Sequence, residues 1–272
     1  MIIRIIITAV LFTFRSDFIN PDEMFSIAAF KSGEMFPVDS FTPPNSPDHQ
    51  KKHLVVFTKY LGEHVKEKKK IIFSDDFSSP LSKSKWIVEM DPSEGSSVYT
   101  RNQSLILDTR KGVTVWLTRR LQKNIMIEFD REVLVDSGKN DRLSDMNMFW
   151  MANDPGKVKP FGKSGIFEQY DSLLLYYAGI GGNMNTTTRF RKYEGDGRKP
   201  LIKEYLDPPH LLTKNYKYHI RIIVKNNVTS LWMNDECYFE FADPKPLSGG
   251  YFGFRSSWSR QAITNFKVYQ LK

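Results

Sequence analysis

Arg189 and Arg191 are the pair most suggestive of chemistry in this chain. They lie in TTTRFRKY, residues 186–193. On a strand alternate residues share a face, so Thr187, Arg189, Arg191 and Tyr193 line up while Thr188 and Phe190 turn the other way. The two guanidiniums then stand about 7 Å apart along the strand, a span that suits neighbouring acidic groups on a polymer. A guanidinium meets a carboxylate with two parallel bonds. Just upstream, Gly179, Gly181 and Gly182 permit a bulge or a close approach to a ligand, and Asn183 and Asn185 add polar contacts. The alternative is an exposed strand face whose arginines pair with Glu or Asp.

Such an array fits β-elimination at a uronic acid, where a cation or amide neutralises the carboxylate while one group takes a proton and another gives one. Arg189 and Arg191, with Asn147 or Asn183, supply the neutralising groups. Tyr177, Tyr170 and His210 are the candidates for moving the proton. A tyrosine beside arginine is expected to have a lowered pKa. Trp116, Trp150 and Trp258 are candidate stacking platforms, with at least one expected to serve the core alone.

Carboxylates offer a second chemistry. Glu128, Asp130 and Glu132 share one face of IEFDREV, and a retaining glycosidase needs two carboxyl groups about 5–5.5 Å apart. Alternating acids are equally compatible with a solvated strand face. In NDRLSDMNMFWMANDP, residues 140–155, the oxygens of Asp141, Asp145 and Asn147 are candidates for calcium; the alternative is a polar corner fixed by Arg142. On the strand that follows, Asn147, Phe149 and Met151 are expected on one face, Met148 and Trp150 on the other. His219 alternates with Lys217 and Arg221 and is expected to face solvent. The single cysteine, Cys237, excludes an internal disulfide and a cysteine-based zinc site. It reads as a small buried hydrophobe. No cofactor is called for by any motif: no phosphate-binding glycine loop, serine nucleophile elbow or nucleic-acid motif occurs.

The elements that must position these groups are short strands. From Ile71 onward about a dozen apolar or alternating runs are separated by turns such as SGKND, NDPGK and EGDGRKP, which predicts an all-β sandwich or barrel. The last strand, AITNFKVYQL, is expected beside the first, IIFSDDFSS. Residues 71–272 form this domain. Residues 15–70 read as an extension and linker, with a proline-rich stretch and then a short amphipathic helix marked by Leu54, Phe57, Leu61 and Val65. Residues 1–14, MIIRIIITAVLFTF, form an apolar run too short to span a bilayer as a helix and suit the core of a signal peptide; no later segment suits a membrane span. The 272 residues carry 14% aromatic residues and a formal net charge of +8, compatible with an anionic partner.

DDFS, GVTVWL, IEFDREV, NDRLSDMNMFWMANDP, YYAGIGGNMNTTTRFRKY and the closing YFGFRSSWS with ITNFKVYQL resemble an uncharacterised bacterial domain family of polysaccharide-utilisation loci. The resemblance covers residues 71–272. It implies a concanavalin A-like lectin/glucanase fold, a two-sheet jelly roll that handles complex glycans outside the cytoplasm: periplasmic, cell-surface or secreted. YYAGIGGN has a weaker similarity to a strand of the jelly-roll alginate lyases, through Tyr176, Ala178, Gly179 and Asn183. Gly181 stands where that motif has its tyrosine, so no acid/base carries over there. The Glu-x-Asp-x-Glu pattern is similar to the catalytic strand of jelly-roll glucanases. The expectation is a monomer acting on an acidic polysaccharide, first as a lyase using Tyr177, Arg189, His210 and Asn147, with Arg191, Asn183, Asn185, Tyr170 and the three tryptophans in binding. The alternatives are a hydrolase using Glu128, Asp130 and Glu132, or a glycan-binding module without catalysis.

Overall fold

The computed structural model describes residues 69–272. The leader, the extension and the amphipathic helix expected before Lys69 lie outside the described residues. In chain order the strands are β1 (Lys69–Asp75), β2 (Trp86–Met90), β3 (Ser97–Arg101), β4 (Ser104–Thr109), β5 (Val113–Leu117), β6 (Leu121–Gln122), β7 (Ile125–Leu134) and β8 (Met146–Asn153). There follow β9 (Leu174–Gly181), β10 (Thr187–Glu194), β11 (Leu201–Tyr205), β12 (Tyr218–Lys225), β13 (Val228–Met233), β14 (Glu236–Ala242), β15 (Gly249–Ser256) and β16 (Ser259–Leu271). They make two antiparallel sheets. The back sheet runs β14-β13-β12-β7-β16-β4-β3, and the front sheet β11-β10-β9-β8-β15-β5-β2. β1 pairs with β16, from Lys69 opposite Leu271 to Asp75 opposite Phe266, so the first and last strands do lie side by side. This is the concanavalin A-like two-sheet jelly-roll sandwich. Among the described residues no helix is long and apolar enough to cross a membrane.

The hydrophobic pattern of each strand follows from what covers it. β7 and β12, in the back sheet, alternate buried and half-buried residues, because their outer face meets water. In the front sheet β5 and β15 are buried throughout and β8 nearly so. Their inner side chains, such as Val115, Met148, Trp150 and Phe254, join the core between the sheets. Their outer side chains, such as Trp116 and Phe149, form a second apolar cluster with Phe161, Phe167 and Tyr170. Those three come from the β8–β9 connection, which therefore folds back over the outside of the front sheet.

Glu89 fastens this covering segment. It is 4% exposed, and one carboxylate oxygen accepts from the Trp116 indole at 2.9 Å and the Tyr170 hydroxyl at 2.8 Å. The other accepts from the backbone amides of Gly162 at 2.6 Å and Lys163 at 3.0 Å. A buried carboxylate is tolerable when its lone pairs are filled in this way.

β8 departs from the expected alternation. Met151 has φ +52° and sits at a break in pairing with both neighbours, β9 and β15. This bulge turns Met151 into the inter-sheet core beside Met148 and Trp150 instead of placing it with Asn147 and Phe149, since an extra residue shifts which face the next side chain takes.

Candidate functional site on the outer front sheet

Residues directly opposite in an antiparallel pair share a face. The pairings Arg189–Glu204, Arg189–Gly179, Gly179–Asn147, Asn147–Arg255, Arg255–Thr114 and Thr114–Glu89 therefore draw one row across the outer front sheet. The neighbouring row runs Arg191, Tyr177, Phe149, Gly253, Trp116 and Ile87. Arg189, Arg191, Asn147 and Tyr177 are thus brought to one face. The covering segment closes the β5 side of that face; on the β10 side Arg189 remains 33% exposed and Glu204 27%.

Gly179 shapes the middle of the row. The Tyr177 ring leans along β9, and its hydroxyl fills the space where a β-carbon of residue 179 would stand, with Asn147 Oδ1 at 3.0 Å from that point. Only glycine leaves this room. Among the described residues nothing hydrogen-bonds the Tyr177 hydroxyl. Asn147 is 2% exposed, and its Oδ1 is buried without a partner, as is Nε of Arg255. Orphaned buried polar atoms are uncommon in folded proteins, and these two belong to opposite residues of one pair.

Charge converges on the same place. Arg255 is 1% exposed and stacks over Phe167 and Tyr170 at 4.6 and 5.0 Å. Its guanidinium donates to the Gly165 carbonyl at 2.7 Å and the Thr114 hydroxyl at 3.1 Å, and to no carboxylate among the described residues. Arg189 pairs with Glu204. One Arg191 nitrogen donates to the Lys199 carbonyl at 2.7 Å. Asp145, at the start of β8, pairs with Arg142; burial raises its pKa, against the pull of Arg142, Ser144 and Asn147.

The tyrosines behave oppositely to expectation. Burial pushes the Tyr177 phenol well above its ordinary range, Asp145 adds to this, and Arg255, Arg191 and Arg189 only partly offset it. Tyr170 is raised by burial and by Glu89. The proximity of arginine is real, but desolvation of the phenolate outweighs it. Tyr170 is wholly buried and serves Glu89 rather than a ligand.

Several expected site residues have other work. His210 lies on the core side of β10: its carbonyl accepts from Thr188 at 2.7 Å, and its ring stacks on Tyr205 at 3.7 Å and meets Asp207 at 2.7 Å. It is not brought to Arg189. Asn185 clasps the backbone of Leu212, donating to its carbonyl at 2.9 Å and accepting from its amide at 2.8 Å. Asn183 is exposed. Asn183, Met184 and Asn185 all have φ between +52 and +61°, and asparagine tolerates that conformation; the two asparagines answer the needs of the turn. Trp150 is in the inter-sheet core, stacked on Phe190 at 5.7 Å and donating to Thr229 at 2.8 Å. Trp116 is equally buried and stacks on Phe149 at 5.7 Å. Neither can be a stacking platform. Trp258 is 37% exposed with Arg142 over its ring at 4.9 Å.

The acids of β7 face outward from the back sheet. His219 stands between Glu128, at 3.1 Å, and Asp130, at 2.8 Å; Asn265 donates to Asp130 at 2.7 Å and Lys69 lies 3.8 Å from Glu128. Two carboxylates gripping one imidazole do not flank an open sugar site. His219 itself is 43% exposed, as its alternation predicted. Of the calcium candidates, Asp141 is taken up by Arg260 at 2.7 Å and by the amides of Asp136 and Gly138 at 2.6 and 3.0 Å, and Asp145 by Arg142. Among the described residues no group of three His, Cys, Asp or Glu side chains is placed to hold a metal ion. Cys237 is half-buried on β14.

Arg255, Glu204 and Glu89 went unnoticed in the sequence, whereas Gly179 was expected to allow a close approach. Each is one residue of an ordinary-looking strand, and only the pairing of seven strands sets them in one row.

The fold and this face define a jelly-roll sandwich with a polar, arginine-bearing strip on its outer front sheet. The chain belongs to the family described as a domain of unknown function, DUF6250, whose pattern matches residues 107–266. No protein of curated function matches the sequence. Among solved structures, a Bacillus subtilis protein of unknown function with a galectin-like fold superposes with a TM-score of 0.60 at 18% identity, covering 76% of this chain and 98% of that one. An endo-β-1,3-glucanase from Pyrococcus furiosus gives 0.54 at 11% identity over 76% of this chain and 96% of that one. The laminarinase catalytic domain from Thermotoga maritima gives 0.53 at 11% identity over 75% and 99%. At these identities the likeness is one of fold.

Proposed function

We propose that this domain is a carbohydrate-active protein of the extracytoplasmic space that binds an acidic glycan on its outer front sheet. The observation that carries the reading is the row Arg189–Gly179–Asn147–Arg255. It combines a half-exposed guanidinium, an unpaired buried amide oxygen, an unbonded phenol and a buried arginine without a carboxylate partner. A sugar acid offers the complement of the exposed end of this row: a carboxylate for Arg189, exchanging with Glu204. The glucanase activity of two structural neighbours supports a carbohydrate ligand by analogy of fold.

Binding is favoured over β-elimination because burial raises the Tyr177 phenol and makes its phenolate still less available as a base, while His210, the other candidate base, is on the core side of β10. Hydrolysis through Glu128 and Asp130 is disfavoured by their engagement with His219. Calorimetric titration with oligogalacturonate and oligoalginate, beside a neutral β-1,3-glucan oligomer, tests the reading. Uronate binding that Arg189→Ala abolishes is expected, and undiminished affinity in that variant sinks the site. Absorbance near 235 nm rising during incubation would identify an elimination; new reducing ends without it would identify hydrolysis.

A further inference from the structure

Arg131 is fully buried, and nothing acidic pairs with it among the described residues. From β7 in the back sheet its side chain crosses the core to the front sheet. Nε donates to Gln261 Oε1 at 2.7 Å. One terminal nitrogen donates to the Asn147 carbonyl at 2.8 Å and the other to the Arg255 carbonyl at 2.9 Å. Burial brings its pKa down to about 9. A buried arginine is normally paired with an acid, so this one calls for a physical reason.

Its acceptors supply one. Asn147 and Arg255 are opposite residues of a strand pair, and their side chains emerge on the far side of the sheet, in the candidate site. The start of β8 is irregular: Asp145 has φ +62°, and the Asn147 amide donates back to the Asp145 carbonyl at 2.9 Å. Gln261, while accepting from Arg131, donates to the Asp145 carbonyl at 3.1 Å. The carbonyls of residues 145, 147 and 255 are therefore held from the core side, by a network whose members are all engaged.

We infer that Arg131, seated by Gln261, is the positioning residue of the outer front-sheet site: it clamps the backbones of Asn147 and Arg255, the buried middle of the row whose half-exposed end is Arg189. The inference rests on the glycan-site reading for its functional meaning, and on geometry alone for the clamp.

The test compares Arg131→Met with Leu231→Ala, a control that opens the core on β13, where Leu231 is wholly buried. Hydrogen exchange of the unliganded proteins is measured first. The amides of Asp145, Asn147 and Arg255 should exchange at least tenfold faster in Arg131→Met than in the control. Equal rates overturn the clamp whether or not any glycan binds. Calorimetry with oligogalacturonate follows. A Kd raised tenfold or more in Arg131→Met and unchanged in Leu231→Ala is expected, and a common loss in both overturns the positioning role. Arg131→Lys keeps the charge but cannot span three acceptors, so it should behave like the methionine variant; full affinity in it overturns the geometric argument. If Arg131→Met does not fold, Gln261→Met is read by the same two measurements. Wild-type protein that binds no uronate overturns the site reading instead, and the exchange experiment still judges the clamp.

Discussion

The hydroxyl of Tyr177 occupies the space that a β-carbon at Gly179 would fill. An alanine there must push the phenol aside, in a strand buried on both faces. Overpacking of this kind costs about 1–3 kcal/mol. Gly179→Ala should lower Tm and weaken uronate binding at least tenfold, measured by calorimetry at a temperature where the variant is folded. Retained affinity would show that the phenol takes no part.

Arg189 pairs with Glu204, and on the proposed reading a ligand carboxylate takes the place of Glu204. Glu204→Gln should free the guanidinium and tighten uronate binding several-fold, whereas Arg189→Ala should abolish it. Because the pair is only part-buried, binding should weaken as salt is raised. Titrations of both variants at two ionic strengths check this, and unchanged affinity in Glu204→Gln contradicts the exchange of partners.

Burial raises the phenols of Tyr170, Tyr176, Tyr177 and Tyr193, and pushes Tyr238 and Tyr269 up to about 12. The folded pKa exceeds the unfolded value of about 10, so above that pH the unfolded state carries fewer protons than the folded one. The stability contribution is full below about pH 10 and is lost as pH rises further. Alkaline unfolding should therefore coincide with phenolate absorbance near 295 nm, and Tyr177→Phe should move the midpoint upward.

Asp141 presents the opposite sign. Burial works against its ionisation, but the amides of Asp136 and Gly138 and the Arg260 guanidinium outweigh it and hold its pKa below the usual range. This contribution is present above the unfolded value, about pH 4, and is lost as pH falls through the lower folded value. Asp141→Asn should cost about 1–3 kcal/mol at pH 7. Chemical denaturation at pH 7 and again near pH 2 should find the difference between variant and wild type shrinking in acid.

Trp150 and Trp258 separate packing from surface roles. Trp150→Ala should cost about 3–5 kcal/mol, because its ring fills the core against Tyr176 and Phe190. Trp258→Ala, at an exposed ring under Arg142, should change Tm little. Denaturant midpoints of the two variants decide this.

The alternation in IMIEFDREVL and YHIRIIVK and the turns between runs determined the all-β fold, and period two alone assigned Arg189 and Arg191 to one strand face. Those are local properties, set by the geometry of an extended chain. The tertiary structure alone decided which strands adjoin. Pairing across sequence separations above a hundred residues, such as Asn147 with Arg255 and Thr114 with Arg255, assembled the row. A bulge at Met151, a covering segment stapled by Glu89 and the burial of three tyrosines around Arg255 then set its shape and its protonation. Register and desolvation depend on what lies opposite and above a residue, and neither neighbour is written beside it in the chain.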